Sequence, residues 1–388
     1  MQNYSHTIPT KIYFGKGQIS RLAEALRPFG AKVLLTYGGG SIKKTGLYDT
    51  VMDILSDEGF TVFECGGIEP NPRIESVERG VKLCRENGIE VILAVGGGST
   101  IDCSKAIAAG VFYEGDLWQM VAERHGVLKA LPLVDILTLS ATGSEYDGGG
   151  VISNMKINQK LGNSFTFPAV SICDPTYTFT VSKYQTAAGT ADIMSHIFEE
   201  YFSRTPDSDL ADGICETVLK SAIKNLPIAL AEPDNYSARA NLMSISSIAC
   251  SGIPSYGKQS SGWPCHAMEH ELSAFYDITH GVGLAILTPR WMRHILKKDP
   301  SCEWRFVRFA ENVWGMEGED EHALANAAID RLEEFFRESG IPMTLSELGI
   351  GEEHFAEMAS HANRGGYLKN SFVALTDEDI VEIYRACL

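Results

Sequence analysis

The hydrophobic pattern changes about half-way along the chain, and this change limits the folds that the sequence can adopt. Up to about residue 175, short β-branched runs alternate with amphipathic stretches, which is typical of a parallel sheet wound with helices. We predict helices at 47–57 and 74–87, each closed by a glycine. We predict strands at residues 32–37, 60–63, 91–95, 134–139 and 169–173.

The second half has helical periodicity almost throughout. The predicted helices cover residues 187–201, 209–224, 236–252, 323–339 and 376–387. A chain of 388 residues, 44% of them hydrophobic, is longer than one core usually supports, so two domains are expected. We therefore predict an α/β domain with a parallel sheet over residues 1–180 and an all-helical domain over residues 181–388.

Composition excludes several classes of partner. The net charge of -17 repels phosphodiester backbones and anionic lipid, so neither nucleic acid nor a membrane surface is expected as a partner. No apolar run is long enough to cross a bilayer. The nine cysteines form no CxxC pair, and residues 1–5 lack the features of a targeting peptide. These features predict a cytoplasmic protein.

Histidines and a carboxylate recur at spacings that suit a metal site. Asp192 and His196 are four residues apart in a helical run, His266 and His270 repeat that spacing, and His280 follows. Imidazole with carboxylate suits zinc or iron(II). A lone histidine is more often a hydrogen-bonded core residue, but two such pairs plus a further histidine favour a metal site. The HExxH and GxSxG motifs are missing, which disfavours a metalloprotease and a serine hydrolase.

Three loops rich in glycine or hydroxyl residues follow predicted strands, at residues 38–41, 96–99 and 138–144. Because parallel strands end at one edge of a sheet, these loops together favour a dinucleotide, whose phosphates a helix N-terminus would attract. Each loop alone is also compatible with an ordinary turn, and none is a GxGxxG fingerprint.

The first of these loops bears on the choice of coenzyme. In dinucleotide folds a carboxylate near this position holds the ribose 2'-hydroxyl, whereas a hydroxyl and positive charge accommodate a 2'-phosphate. Gly39 and Ser41, followed by Lys43 and Lys44, place no carboxylate in the loop. We predict that a dinucleotide bound here is NADP(H), the alternative being a surface turn with solvated lysines.

These segments together make the chain resemble the iron-containing, or group III, alcohol dehydrogenase family. Within the family it resembles the branch of NADPH-dependent butanol dehydrogenases and broad aldehyde reductases. The resemblance implies a dehydroquinate synthase-like architecture, an active site in the cleft between two domains, and a homodimer. The matching segments are residues 9–17, 96–105, 141–145, 174–175, 192–196, 266–280 and, for the branch, 37–43 and 239–243.

The resemblance also assigns roles to individual residues. It implies that one Fe²⁺ or Zn²⁺ ion is bound by Asp192, His196, His266 and His280. His270 then lines the active site, where it either relays a proton or orients water or substrate. Trp263 is expected to shape the pocket. Beyond Gly39 and Ser41, the implied cofactor contacts are Gly97, Gly98, Ser99, Asp102, Thr138, Ser140, Ser144 and Lys160.

The predicted activity is hydride transfer between the nicotinamide and a small aldehyde or primary alcohol, such as butanal or butanol, with the metal as Lewis acid. The alternative is a sugar-phosphate cyclase or a glycerol-1-phosphate dehydrogenase on the same scaffold. That chemistry needs lysines and arginines near the metal to hold a substrate phosphate, and residues 190–200 and 263–281 contain none. A non-catalytic metal or nucleotide-binding protein is a third possibility.

Overall fold

The computed structural model describes residues 1–123 and 129–388, and the chain divides into two compact units. The sheet unit comprises Thr7–Val181 and Asp234–Met243. The helical unit comprises Met1–His6, Ser182–Pro233 and Ser244–Leu388. Met1–His6 thus belongs to the helical unit although it precedes the sheet unit in sequence, and Asp234–Met243 belongs to the sheet unit although helical-unit residues flank it. The main change from one unit to the other lies after residue 181.

The sheet unit is built on six parallel strands in the order β1-β8-β5-β4-β2-β3, and β6 pairs with β7 in a separate antiparallel hairpin. This confirms the predicted parallel α/β fold. The strands are β1 Lys11–Phe14, β2 Lys32–Tyr37, β3 Thr61–Cys65, β4 Val91–Gly96, β5 Leu133–Leu137, β6 Gly149–Asn154, β7 Gln159–Ser164 and β8 Val170–Cys173.

Both faces of the central strands are buried, which explains their continuous hydrophobic runs. On β2, Leu34 belongs to one core cluster while Val33 and Leu35 belong to another, because successive side chains point to opposite faces. The α-helices among the described residues of this part of the chain are α1 Leu22–Leu26, α2 Ser41–Lys44, α3 Leu47–Asp57, α4 Ile74–Asn87, α5 Gly98–Gly110 and α6 Leu117–Ala122.

The β6–β7 hairpin was not predicted from the sequence. Its strands read GGVISN and QKLGNS, so they contain three glycines and show no sustained alternation of apolar and polar residues. Their pairing depends on each other and on contacts with α5, not on a hydrophobic period. The hairpin places Lys160 on β7.

The helical unit is built from helices and connecting loops, with no β-strand among its described residues, as predicted. Every residue of α7 from Thr186 to Glu199 is buried, and α7 packs against α8 and α11, so it forms the centre of this unit. No helix in the described part of the chain is long and apolar enough to cross a membrane. The remaining helices are α7 Lys183–Tyr201, α8 Asp209–Ala231, α9 Tyr236–Ala249, α10 Pro264–Tyr276, α11 His280–Lys298, α12 Glu303–Phe309, α13 Glu321–Glu338, α14 Phe355–Ala362 and α15 Asp377–Ala386.

Candidate metal centre

Three helices of the helical unit bring the four predicted ligands together. α7 carries Asp192 and His196 one turn apart, α10 carries His266 in its first turn, and α11 begins at His280. The Oδ1 atom of Asp192 lies 3.7 Å from Nε2 of His196, 3.9 Å from Nε2 of His266 and 3.7 Å from Nε2 of His280. The Nε2 atoms of three histidines, one from each helix, thus lie around one carboxylate oxygen.

This arrangement fits a single divalent metal ion. Asp192, His196 and His266 are 2%, 5% and 6% exposed, and the side chain of His280 is 20% exposed. The four side chains are therefore largely shielded from solvent, and solvent reaches His280 more than the other three. A buried carboxylate beside three imidazoles is expensive unless positive charge compensates it. Nitrogen and carboxylate donors in this number suit Fe²⁺ or Zn²⁺.

Two buried glutamates contact the outer nitrogens of the candidate ligands. Glu199 Oε1 lies 3.3 Å from His266 Nδ1 and accepts the backbone N–H of His266 at 2.9 Å. Glu269 Oε2 contacts His280 Nδ1. In its ionised form each glutamate can only accept, so the Nδ1 atom that it contacts then carries the proton and the Nε2 atom presents its lone pair to the centre.

Neither glutamate was identified from the sequence, although a signal existed. Glu199 lies three residues after His196 and Glu269 three residues after His266, so each follows a candidate ligand by one helical turn. Glu199 on α7 nevertheless contacts His266 on α10, and Glu269 on α10 contacts His280 on α11. Spacing along one helix does not reveal such contacts between helices. Burial raises the pKa of Glu199 to about 8, and the backbone N–H of His266 opposes this rise.

His270 and Trp263 flank the four candidate ligands. The ring of His270 lies 5.7 Å from that of His280 and 6.3 Å from that of His266, one turn further along α10. The ring of Trp263 lies 4.9 Å from His266 and 5.5 Å from His196. Trp263 has a φ of 50°, a left-handed conformation that is uncommon for a bulky residue and often occurs at functional sites.

The predicted cofactor loops lie in the sheet unit, at the carboxyl ends of three strands. Loops with Gly39 and Ser41, with Gly97, Gly98 and Ser99, and with Thr138 and Ser140 follow β2, β4 and β5. Because β4 lies between β2 and β5, the three loops are neighbours at one sheet edge. The sheet therefore brings these predicted contacts together in the arrangement that dinucleotide-binding sheets use.

Glycine at 98 is required by close packing. A Cβ there would lie 2.2 Å from Thr142 Oγ1, and one at Gly97 would lie 3.1 Å from the Leu139 Cβ. The loop after β5 can therefore approach the N-terminus of α5 only because these two residues lack side chains. The backbone N–H groups at this helix N-terminus are suited to an anion.

Asp102, Ser144 and Lys160 have protein partners. Asp102 accepts hydrogen bonds from Ser144 Oγ at 2.5 Å and from the Val151 N–H at 2.9 Å, so it ties α5 to the loop after β5 and to β6. Burial raises the pKa of Asp102 to about 6, against the effect of Lys105. Lys160 Nζ donates to Asn71 Oδ1 at 2.9 Å. Direct coenzyme contacts of these three residues stay predictions.

Sequence comparison decides the family. Residues 9–175 match the family described as iron-containing alcohol dehydrogenase, and residues 186–388 match the C-terminal domain of the same family. The chain belongs to the iron-containing alcohol dehydrogenase family. The predicted resemblance is thus confirmed, and the chain is an oxidoreductase of alcohols and aldehydes for which the family implies a nicotinamide coenzyme and an iron-type metal.

Individual relatives extend over nearly the whole chain. NADH-dependent butanol dehydrogenase A of Clostridium acetobutylicum is 50% identical over 390 residues, covering 99% of both chains. NADPH-dependent aldehyde reductase YqhD of Escherichia coli is 39% identical over 356 residues, covering 90% of each. The crystal structure of NADH-dependent butanol dehydrogenase A from Thermotoga maritima superposes with a TM-score of 0.94 at 39% identity, covering 100% of this chain and 99% of that one.

Proposed function

We propose that this iron-containing alcohol dehydrogenase is a metal-dependent, NADP(H)-linked reductase of small aldehydes such as butanal, and oxidises the corresponding primary alcohols in reverse. The convergence of Asp192 Oδ1 with the Nε2 atoms of His196, His266 and His280 carries this proposal. Relatives named as butanol dehydrogenases and an aldehyde reductase support the substrate class. In a reducing cytoplasm, where NADPH predominates, reduction is the favoured direction.

The four candidate ligands would hold Fe²⁺ or Zn²⁺. Such an ion, when bound, supplies Lewis-acid polarisation of the carbonyl oxygen, while the nicotinamide supplies the hydride. Asp192 contributes one negative charge and the neutral imidazoles none, so a divalent ion and these four ligands together would keep a net positive charge. Glu199 and Glu269 hold His266 and His280 in the required tautomer. The centre is thereby arranged in advance for negative charge on the substrate oxygen.

His270 is the proposed proton relay. Replacing it by Ala should lower kcat by about tenfold or more, because general acid-base groups contribute at this level, while bound metal is unchanged. Steady-state kinetics over a pH range and elemental analysis measure the two quantities. Added imidazole should restore part of the rate if His270 moves a proton, and should not if it only orients water or substrate. Loss of metal from His270→Ala would instead make His270 a ligand.

The coenzyme preference rests on the loop after β2. Ser41, Lys43 and Lys44 are all exposed there, and Gly39 has open space where its Cβ would be. This favours a 2'-phosphate, hence NADP(H), as in the name of the Escherichia coli relative; the two relatives that are 50% identical are named as NADH-dependent. Comparable kcat/KM values with NADH and NADPH would contradict the proposed preference.

One experiment tests the function as a whole. Protein purified without oxygen is analysed for iron and zinc and assayed for NADPH and NADH oxidation with a series of straight-chain aldehydes. We expect about one metal ion per chain and turnover of butanal, because the centre offers one set of four donors. Coenzyme binding without turnover of any aldehyde in the metal-loaded protein would favour a non-catalytic protein.

We also propose a homodimer formed along β1. This strand lies at the edge of the six-stranded sheet, and Phe14 at its end is 41% exposed. An uncovered edge strand offers backbone groups to a second copy. Light scattering after size exclusion should give twice the monomer mass. Lys11 and Gly15 donate their backbone N–H groups to β8, so by alternation the N–H of Phe14 points away from β8. Phe14→Pro removes this outward donor and should shift the protein towards the monomer. A monomeric wild-type protein would contradict the proposal.

A further inference from the structure

Four side chains form a network beside the loop after β2: Tyr37, Lys43, Tyr48 and Glu64. The hydroxyl of Tyr37 donates to Glu64 Oε2 at 2.7 Å, and that of Tyr48 donates to Oε1 at 3.0 Å. Lys43 Nζ lies 4.8 Å from the centre of the Tyr37 ring and 4.4 Å from that of Tyr48. Lys43 and Glu64 thus contact the same two tyrosines, the lysine at the ring faces and the glutamate at the hydroxyl groups.

The fold supplies this carboxylate from a neighbouring strand. Glu64 lies on β3, where it pairs in register with Leu35 of β2, two residues before Tyr37. The Tyr37 ring fits only because residue 66 is glycine, since a Cβ there would lie 2.5 Å from the ring. Inspection of the loop residues 38–44 alone shows no acidic side chain, so the sequence does not reveal that one lies beside them.

The network draws positive charge towards β3. The pKa of Lys43 is raised, first by its hydrogen bond to Tyr37 and also by attraction from Glu64. Lys43 therefore stays protonated, and its ammonium group lies against the rings of Tyr37 and Tyr48, whose hydroxyls donate to Glu64. The negative charge of Glu64 offsets part of the field that Lys43 would present to a further anion.

We propose that Glu64 is a specificity-determining residue that weakens discrimination in favour of NADP(H), by holding Lys43 and by adding negative charge beside the site of the 2'-substituent. The inference rests on the proposed placement of the nucleotide at the loop after β2. A carboxylate near this substituent repels a phosphate and tolerates or accepts from a hydroxyl. Glu64 thus offers one physical reason why the same glycine, serine and lysine loop can serve NADH.

Glu64→Gln tests this role, with Glu58→Gln as its matched control. Glu58 is an exposed carboxylate of the sheet unit that pairs with Arg27 at 2.6 Å, so its replacement makes the same change in net charge. Dissociation constants for NADPH and NADH are measured on the full-length, metal-loaded protein from the coenzyme's fluorescence. In Glu64→Gln, NADPH should bind roughly three- to tenfold more tightly and NADH should change by less than about twofold.

Varying the ionic strength distinguishes an effect of the charge of Glu64 on NADPH binding from an effect of its shape. The gain for NADPH should shrink as salt is raised, because the charges involved are exposed to solvent. An unchanged NADPH-to-NADH ratio in Glu64→Gln, or an equal change in Glu58→Gln, would overturn the proposal. Thermal melting of each variant checks that the fold is kept.

Lys43→Met gives an independent test that leaves Glu64 in place. It should lower NADPH affinity by a smaller factor in the wild-type background than in Glu64→Gln, because Glu64 offsets part of the charge of Lys43 in the wild type. A loss in the wild-type background as large as the loss in Glu64→Gln would overturn the proposal. Failure of the proposed function is distinguishable: both coenzymes would bind with the predicted ratios, yet butanal would not be reduced.

Discussion

Replacing Asp192 by Asn should lower the affinity for Fe²⁺ or Zn²⁺ by roughly a hundredfold or more, since groups that merely orient ligands already contribute ten- to a hundredfold. Asp192 is the one acidic member of the four candidate ligands, and its Oδ1 lies within 3.9 Å of all three Nε2 atoms. Asparagine keeps the shape but removes the charge that compensates a divalent ion. Turnover should fall in parallel at limiting metal.

Metal-linked stability is the measurement that does not depend on turnover. A ligand at a hundred times its dissociation constant stabilises the folded state by about 2.7 kcal/mol, so added Zn²⁺ should raise the melting temperature of the wild-type protein and not that of Asp192→Asn. Asp209→Asn, an exposed change in the first turn of α8, serves as the control and should behave as wild type. An equal metal-dependent rise in Asp192→Asn would exclude Asp192 as a ligand.

The fold could be predicted where local chemistry decides it. The bounds of α3 and α4 agree with the amphipathic period and the glycines that follow them, since both signals lie within a dozen residues. Gly88, with a φ of 61°, ends α4 in the left-handed conformation that glycine adopts without strain. The β6–β7 hairpin has no such signal, because its polar and glycine-rich strands are stabilised by pairing.

The same distinction applies to the candidate centre. Asp192 and His196 share a helix face by spacing alone, whereas His280 joins them only because α11 packs against α7. Glu199 and Glu269 are one turn from a candidate ligand along the chain but contact a histidine elsewhere. Glu64 reaches the coenzyme loop through the register of β3 with β2. Tertiary contacts of this kind follow from packing, which spacing along one helix or loop does not encode.

Glu269→Gln should weaken metal binding by about ten- to a hundredfold while the fold is kept. Glu269 is fully buried, and its second oxygen accepts a hydrogen bond from Ser273 Oγ. Glutamine has the same shape, and its amide can still accept from His280 Nδ1 and donate to the Ser273 hydroxyl, so no buried group loses its partner. What is lost is the negative charge that makes the imidazole a stronger donor to the metal.

Competition between the protein and a chelator for Co²⁺ or Zn²⁺ measures this change without reference to catalysis. Ser273→Ala is the matched control, because it removes a hydrogen bond from Glu269 but leaves the charge, and it should weaken binding by no more than about threefold. Wild-type affinity in Glu269→Gln would mean that packing at the start of α11 alone orients His280. A loss in Glu269→Gln that exceeds the loss in Ser273→Ala would instead assign the orientation and basicity of His280 to the buried charge.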